Sequence, residues 1–318
     1  MPESKWDNSF NRLAVIDLGS NTFHLIIVQL NYPDNTYTLL KRQRDFVYLS
    51  RDGMDYFTEH TIERALSSLK NFKSLVELYN VSAIRAIGTA AMRTAKNASV
   101  LREMALKNYG INIEIFSGQR ESELIHKGTL FTPRKNEQAE LILDIGGGSV
   151  EFIIAKNQKV VHWNSAPVGI SILKNKFRME NQMQLNQSRV NTFLTEHLKN
   201  EIYKINKFAP SILKGAAGPF EILEVMSQKK PSTTGNYFDT GAMRLMASKI
   251  LSSNVEQRKS IPLMPHTRSD LALESFFILE FILERCECIK EICVTPFALK
   301  EGVVFEELQN NNCNAAKL

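Results

Sequence analysis

The stretch 141-LILDIGGGSVEFIIAKN-157 decides how the chain is read. Branched apolar residues run to Asp144, three consecutive glycines break the run, and an alternating strand resumes with Glu151 inside it. Adjacent glycines cost conformational entropy on folding, so a tight hairpin or a closely held ligand must need bare backbone here. One glycine at positive φ usually suffices for a hairpin. Three point instead to a nest of backbone N–H groups that receives phosphate through Gly146, Gly147, Gly148 and the Ser149 hydroxyl.

The same design occurs earlier, in 13-LAVIDLGSNTFHLIIVQL-30. A constant offset of 127 (144 − 17) places Asp17 on Asp144, Gly19 on Gly146, Thr22 on Ser149 and His24 on Glu151. Asp17, Gly19, Ser20, Asn21 and Thr22 therefore form a second candidate phosphate turn, in which side-chain hydroxyls and an amide add donors. Internal duplication of this kind defines a fold. The order downstream repeats as well. Strands at 13–17, 23–30 and 36–49 precede a helix at 59–79, a strand at 82–89, a helix at 99–109, a strand at 111–116 and a helix at 119–131. After the polar linker 132–140, strands at 141–144, 150–156 and 158–166 restart the series. Helices near 170–180, 186–205 and 268–286, strands at 211–218 and 290–296, and a last helix at 297–310 complete it. The expected fold is α/β, with two similar βββαβα lobes.

Composition agrees with a soluble globular protein: 43% hydrophobic and 23% charged over 318 residues. A net charge of +5 falls well short of a nucleic-acid-coating protein but suits an anionic substrate in a basic cleft. The N-terminus lacks the apolar core of a signal peptide, and no apolar run reaches membrane-spanning length, so a cytoplasmic chain without membrane or nucleic-acid partners is expected. Cys286, Cys288 and Cys293 lack the spacing and histidines of a zinc site and read as reduced thiols, as does Cys313.

Strand alternation puts Ser149, Glu151 and Ile153 on one face and Val150, Phe152 and Ile154 on the other. A carboxylate on the phosphate-binding face repels its guest unless a divalent cation lies between them. Asp144 and Glu151 are hard oxygen ligands suited to Mg2+; alternatively Glu151 is a solvated strand charge. In 116-FSGQRESELI-125, Glu121 opens a helix, where it either complements the helix dipole or acts as a general base on attacking water. Arg93, in 88-GTAAMRTAKNA-98, offers a planar fork to phosphate oxygens, extended by Lys96 and Asn97, or is an ordinary surface residue.

Together 17-DLGSNTFHL-25, 88-GTAAMRTAKNA-98, 117-SGQRESELI-125 and 144-DIGGGSVEF-152 resemble the exopolyphosphatase / guanosine pentaphosphate phosphohydrolase (Ppx/GppA) family of the actin-like, sugar-kinase and Hsp70 superfamily. Weaker matches at 167-PVGISILKNKF-177, 268-RSD-270 and 299-LKEG-302 extend the resemblance along the chain. It implies two actin-like (ribonuclease H-like) lobes with an interdomain active-site cleft: residues 1–127 plus 297–318, the last helix packing back on the first lobe, and residues 128–296. It also implies Glu121 as the water-activating base, Asp144 and Glu151 as holders of Mg2+ and orienters of water, phosphates on the two turns, and Arg93 neutralising the reacting end. Inorganic polyphosphate is the implied substrate, guanosine pentaphosphate the alternative, and a homodimer the implied assembly. The chain looks like a short member, without the C-terminal helical domains of longer ones.

Some positions depart from the family pattern. Ser122 follows Glu121 where SGxxEA is common, an arginine after the PxG stretch is absent (Ile172 and Lys174 lie there), LREG is 299-LKEG-302, and 215-GAAGPF-220 lacks a threonine. These changes spare the reaction centre but thin the groove for a long polyanion, favouring short polyphosphates or a nucleotide. A non-catalytic polyphosphate or nucleotide sensor is the reading from another class; retention of Glu121, Asp144 and Glu151 argues against it.

Overall fold

Each of the two duplicated hairpins belongs to its own α/β unit in the computed structural model, which describes residues 11–133, 138–177, 186–265 and 269–315. The chain divides into Met1–Ser117 with Leu299–Leu318, and Gly118–Ala298. In order, the first unit contributes β1 (Arg12–Leu18), β2 (Phe23–Asn31), β3 (Thr36–Asp45), α1 (Glu59–Leu78), β4 (Ala83–Gly88), α2 (Ala90–Thr94), α3 (Ala98–Tyr109) and β5 (Ile113–Ile115). The second contributes α4 (Gly118–Thr129), β6 (Glu140–Ile145), β7 (Val150–Lys156), β8 (Lys159–Ala166), α5 (Ile170–Phe177), α6 (Gln187–Phe208), β9 (Ile212–Ala216) and α7 (Gly218–Met226). It continues with β10 (Asn236–Asp239), α8 (Thr240–Leu251), α9 (Val255–Lys259), α10 (Ser269–Arg285) and β11 (Glu291–Val294), before α11 (Leu299–Ala315) returns to the first unit.

The first sheet runs β3-β2-β1-β4-β5, with β1, β2 and β3 antiparallel and β4 and β5 parallel to β1. Period-two alternation divides its faces. Ala14, Ile16, Leu18, Phe23, Leu25 and Ile27 point into a core shared with Ile62, Leu69 and Phe72 of α1 and Leu101 of α3. Helix α1 starts where the Thr58 side chain accepts from the Thr61 N–H. The opposite face carries Val15 and Asp17, and α11 packs over β1 and β2 there. Arg42 and Arg85 tie down that helix through Glu301 at 3.4 Å and Glu307 at 2.6 Å.

The second sheet repeats the plan as β8-β7-β6-β9-β11, with β10 added antiparallel at its edge. Leu141, Leu143, Ile145, Val150, Phe152 and Ile154 face a core built with Leu194 and Leu198 of α6, Phe220 of α7 and Phe276 of α10. This duplicated order is the arrangement of two similar α/β lobes expected from the sequence. Strand β10 was not anticipated, because Asn236-Tyr237-Phe238-Asp239 offers one core residue, Phe238. Helix α4, assigned to the first lobe by the sequence reading, packs on β7 and β8 and belongs to the second unit. Arg268, part of a weak family match, lies outside the described residues.

Candidate active site

The carboxylates of the second unit share one face of its sheet. Asp144, near the end of β6, is paired in register with Glu151 of β7, and both lie opposite the apolar face. Like charges directly across a ladder destabilise it, so this pair calls for positive charge nearby. Glu151 is 2% exposed, and its Oε1 accepts from Ser149 Oγ at 2.6 Å and from Ser165 Oγ at 2.8 Å. Ser165 in turn fixes the start of α4: a Cβ on Gly118 would stand 2.5 Å from Ser165 Cβ. That contact sets the first turn of α4 over the Glu151 face, and Glu121 in that turn is buried. Glu121, Asp144 and Glu151 are thus carried by α4, β6 and β7 of a single unit. Ser165 was missed in the sequence, where it is one more hydroxyl in an edge strand.

The glycine run does not serve a left-handed backbone. Among the described residues, glycines at positive φ are Gly53, Gly110, Gly218 and Gly235. Gly146 N–H instead closes the turn on Ser149 O at 3.0 Å, while Gly146 O and Gly147 O accept from the N–H groups of Ile170 (3.0 Å) and Ser171 (2.7 Å). Gly169 presses so closely that a Cβ there would lie 2.4 Å from Gly147 O and 2.6 Å from Gly148 C. Because each peptide is planar and trans, a carbonyl turned toward the 167–171 segment directs the next N–H the other way. The N–H groups of Gly147 and Gly148 therefore point away from that segment, as an anion nest requires.

The first unit repeats this construction at the 127-residue offset. Gly19 N–H closes on Thr22 O at 3.1 Å, and Ser20 O, the counterpart of Gly147 O, accepts from Ser50 N–H at 3.0 Å. Ser50 Oγ also donates to Asn21 Oδ1 at 3.0 Å, so that side chain braces the turn. Asp17 Oδ1 and Ser20 Oγ are buried without a hydrogen-bond partner. Burial pushes the Asp17 carboxyl up to about 6, with Lys300 opposing the shift and Glu301 adding to it. Arg93 Nη1 donates to Phe116 O at 2.7 Å, which anchors the guanidinium at the end of β5. Asn97, read as part of a polar binding side, clamps both backbone groups of Phe57 instead (2.8 and 2.9 Å).

The two rows differ in charge. Asp17 faces His24 and then Arg44 across β1, β2 and β3, whereas Asp144 faces Glu151 and then Ser165 across β6, β7 and β8. Two hard carboxylates on one face fit a small divalent cation that completes its shell with water and phosphate. Among the described residues no group of three or more metal-ligating side chains occurs. Cys286, Cys288 and Cys293 are free, and burial raises their thiols, that of Cys286 up to about 12. No helix among the described residues is long and apolar enough to cross a membrane.

Residues 36–311 match the sequence pattern of the Ppx/GppA phosphatase family. The chain belongs to the Ppx/GppA phosphatase family. This membership makes it an enzyme, a phosphoric anhydride hydrolase. Its fold is similar to that of an exopolyphosphatase from Cytophaga hutchinsonii, with 28% identity, a TM-score of 0.86, and coverage of 94% of this chain and 98% of that one. It also shares the fold of the Ppx/GppA family member of Aquifex aeolicus, at 24% identity and a TM-score of 0.76, covering 95% and 98% of the two chains. In this Ppx/GppA member, the glycine turn and the Asp144–Glu151 pair belong to one unit.

Proposed function

We propose that the chain is an exopolyphosphatase that releases terminal orthophosphate from inorganic polyphosphate. The observation that supports this reading is the register pairing of Asp144 with Glu151 on one face of the second unit's sheet, beside the glycine turn, with α4, the helix that carries Glu121, packed on β7 and β8. Glu121 takes a proton from water, and the water oxygen bonds to the terminal phosphorus. The bridging P–O bond breaks, its electron pair leaving on the shortened chain. The oxygens of the reacting phosphate are held by the glycine turn, and the Gly19–Thr22 turn and Arg93 supply further donors for phosphate. Positioning and electrostatics dominate such a transfer. Mg2+, held by Asp144 and Glu151 when bound, neutralises charge on the phosphate oxygens. Ser149 and Ser165 fix Glu151 so that its carboxylate keeps one orientation.

Removal of the 5′-terminal phosphate of guanosine pentaphosphate uses the same groups and is the second reading. A homodimer in the cytoplasm is the proposed working form. Phosphate release with Mg2+ from long polyphosphate, short polyphosphate and guanosine pentaphosphate, measured beside Glu121→Gln, tests the assignment. Release from polyphosphate that vanishes in Glu121→Gln supports it. No release from any of the three substrates sinks the hydrolase reading, and equal release by the variant sinks Glu121 as the base.

A further inference from the structure

Helix α6 carries a carboxylate on its buried apolar stripe. Val190, Leu194, Leu198 and Ile205 face the core of the second unit at helical spacing, and Glu201, 2% exposed, stands among them. A buried charge persists only when it is hydrogen-bonded, and most of the bonds to Glu201 come from β8. His162 Nε2 donates to its Oε2 at 2.7 Å and Asn164 Nδ2 to its Oε1 at 3.0 Å, with Asn200 Nδ2 adding a bond at 3.1 Å. Strand β8 needs such an anchor. It is the last strand of its sheet, paired with β7 alone among the described residues. Its ladder also breaks between Ile154 and Ala155, whose partners are His162 and Val160, and bulges of this kind re-aim the side chains beside them. Register then divides the two faces of β8. Asn164 and His162 pair with Phe152 and Ile154, which face the core. Ser165 pairs with Glu151 and donates to it on the opposite face at 2.8 Å. One short run of edge strand thus bonds Glu201 on one side and Glu151 on the other.

We infer that the Glu201–His162 pair is a positioning element for Glu151: its bond on the core face of β8 holds the strand so that Ser165 meets the carboxylate on the other face. The inference rests on the phosphohydrolase reading for the part that Glu151 plays in the chemistry. Pairing on one side only leaves an edge strand free to shift about its bulge, and a displacement of about 1 Å far from the chemistry can cost on the order of a hundredfold in rate. The first unit pins its third strand differently. There Asp45, at the end of β3, accepts from Ser68 Oγ of α1 at 2.7 Å, so the strand carries the carboxylate and the helix the donor. In the second unit the roles are exchanged, with the carboxylate on the helix and an imidazole on the strand.

Steady-state phosphate release from tripolyphosphate with Mg2+, compared in wild type, His162→Ala and His162→Gln, tests this. The alanine variant is expected to lose about tenfold or more in kcat with KM little changed. Glutamine, whose amide N–H can replace the imidazole donor, should restore most of the loss. In a Ser165→Ala background the same His162→Ala change should cost little further, because its effect travels through Ser165. An unchanged kcat in His162→Ala, or an equal loss with and without the Ser165 hydroxyl, overturns the inference. Hydrogen exchange of the full chain reads the same contact without turnover. The amides of residues 163–166 should exchange several-fold faster in His162→Ala and regain protection in His162→Gln; unchanged exchange there also overturns it. Absence of release by the wild type alongside this exchange pattern counts against the hydrolase and leaves the positioning of Ser165 standing.

Discussion

Asp144 stands directly across the β6–β7 ladder from Glu151, at the position where Asp17 stands across from His24 in the first unit. One duplicated hairpin has thus been given two electrostatic characters. The carboxylate–imidazole pair can coexist unaided, while the carboxylate–carboxylate pair invites a cation. Asp144→Asn should therefore raise stability in chelator by on the order of 0.5 kcal/mol through relief of cross-strand repulsion. It should also abolish the rise in melting temperature that Mg2+ is expected to give the wild type, and cut phosphate release by at least about a hundredfold. Thermal melts with and without Mg2+ measure the first two effects, and an unchanged Mg2+ response would remove Asp144 from the cation site.

Ser165 is a positioning residue for Glu151. Its hydroxyl bonds a carboxylate that is 2% exposed, and bonds to buried charge contribute about 1.5–3 kcal/mol. Ser165→Ala should lower stability by about that amount. It should lower kcat more than it raises KM, because Glu151 loses orientation while the phosphate turn remains. Steady-state kinetics and denaturant unfolding decide this. An unchanged kcat would reduce Ser165 to a spacer beneath Gly118.

Much of the local geometry could be read in the residues themselves. The hairpins were legible because period-two alternation and a constant offset reinforce each other, and their outcome appears in matching turn bonds at Gly19 and Gly146. Helix α4 was legible as a helix, yet its amphipathic pattern does not say which sheet its apolar stripe will meet. Its placement rests on the Gly118–Ser165 contact between residues far apart in the chain. The glycines at 146–148 were read as a phosphate nest, but their bareness also answers the approach of Gly169, which local sequence does not display. Asn97 resembled a ligand residue because a buried backbone clamp and an exposed binding amide have the same side chain.

Gly169→Ala tests that packing. The added methyl would meet the Gly147 carbonyl at 2.4 Å, against backbone that has no flexible end to yield. Overpacking of this kind costs about 1–3 kcal/mol, and relief must come by displacing the glycine turn. The variant should melt lower and bind phosphate or polyphosphate more weakly. Titration calorimetry with tripolyphosphate reads the second effect. A variant that loses stability but keeps full affinity would separate the turn from phosphate binding.

Asp17 gives the fold a dependence on pH whose sign is opposite to that of an ordinary paired carboxylate. Burial raises its carboxyl from 3.8 to about 6, so the folded state favours the protonated form. The resulting stability is fully present below the unfolded value near 3.8 and is lost as pH rises through about 6. Above that range the charged group, whose Oδ1 is shielded from solvent, costs on the order of 3 kcal/mol at most relative to its neutral form. Asp17→Asn, which is neutral at every pH, should therefore exceed the wild type in stability at pH 7.5 by up to about that amount and match it near pH 4. Urea unfolding of both proteins at the two pH values isolates the term, since other titrating groups are common to both. A stability difference that stays constant with pH, or grows toward acid, would show that Asp17 is charged and compensated in the folded protein.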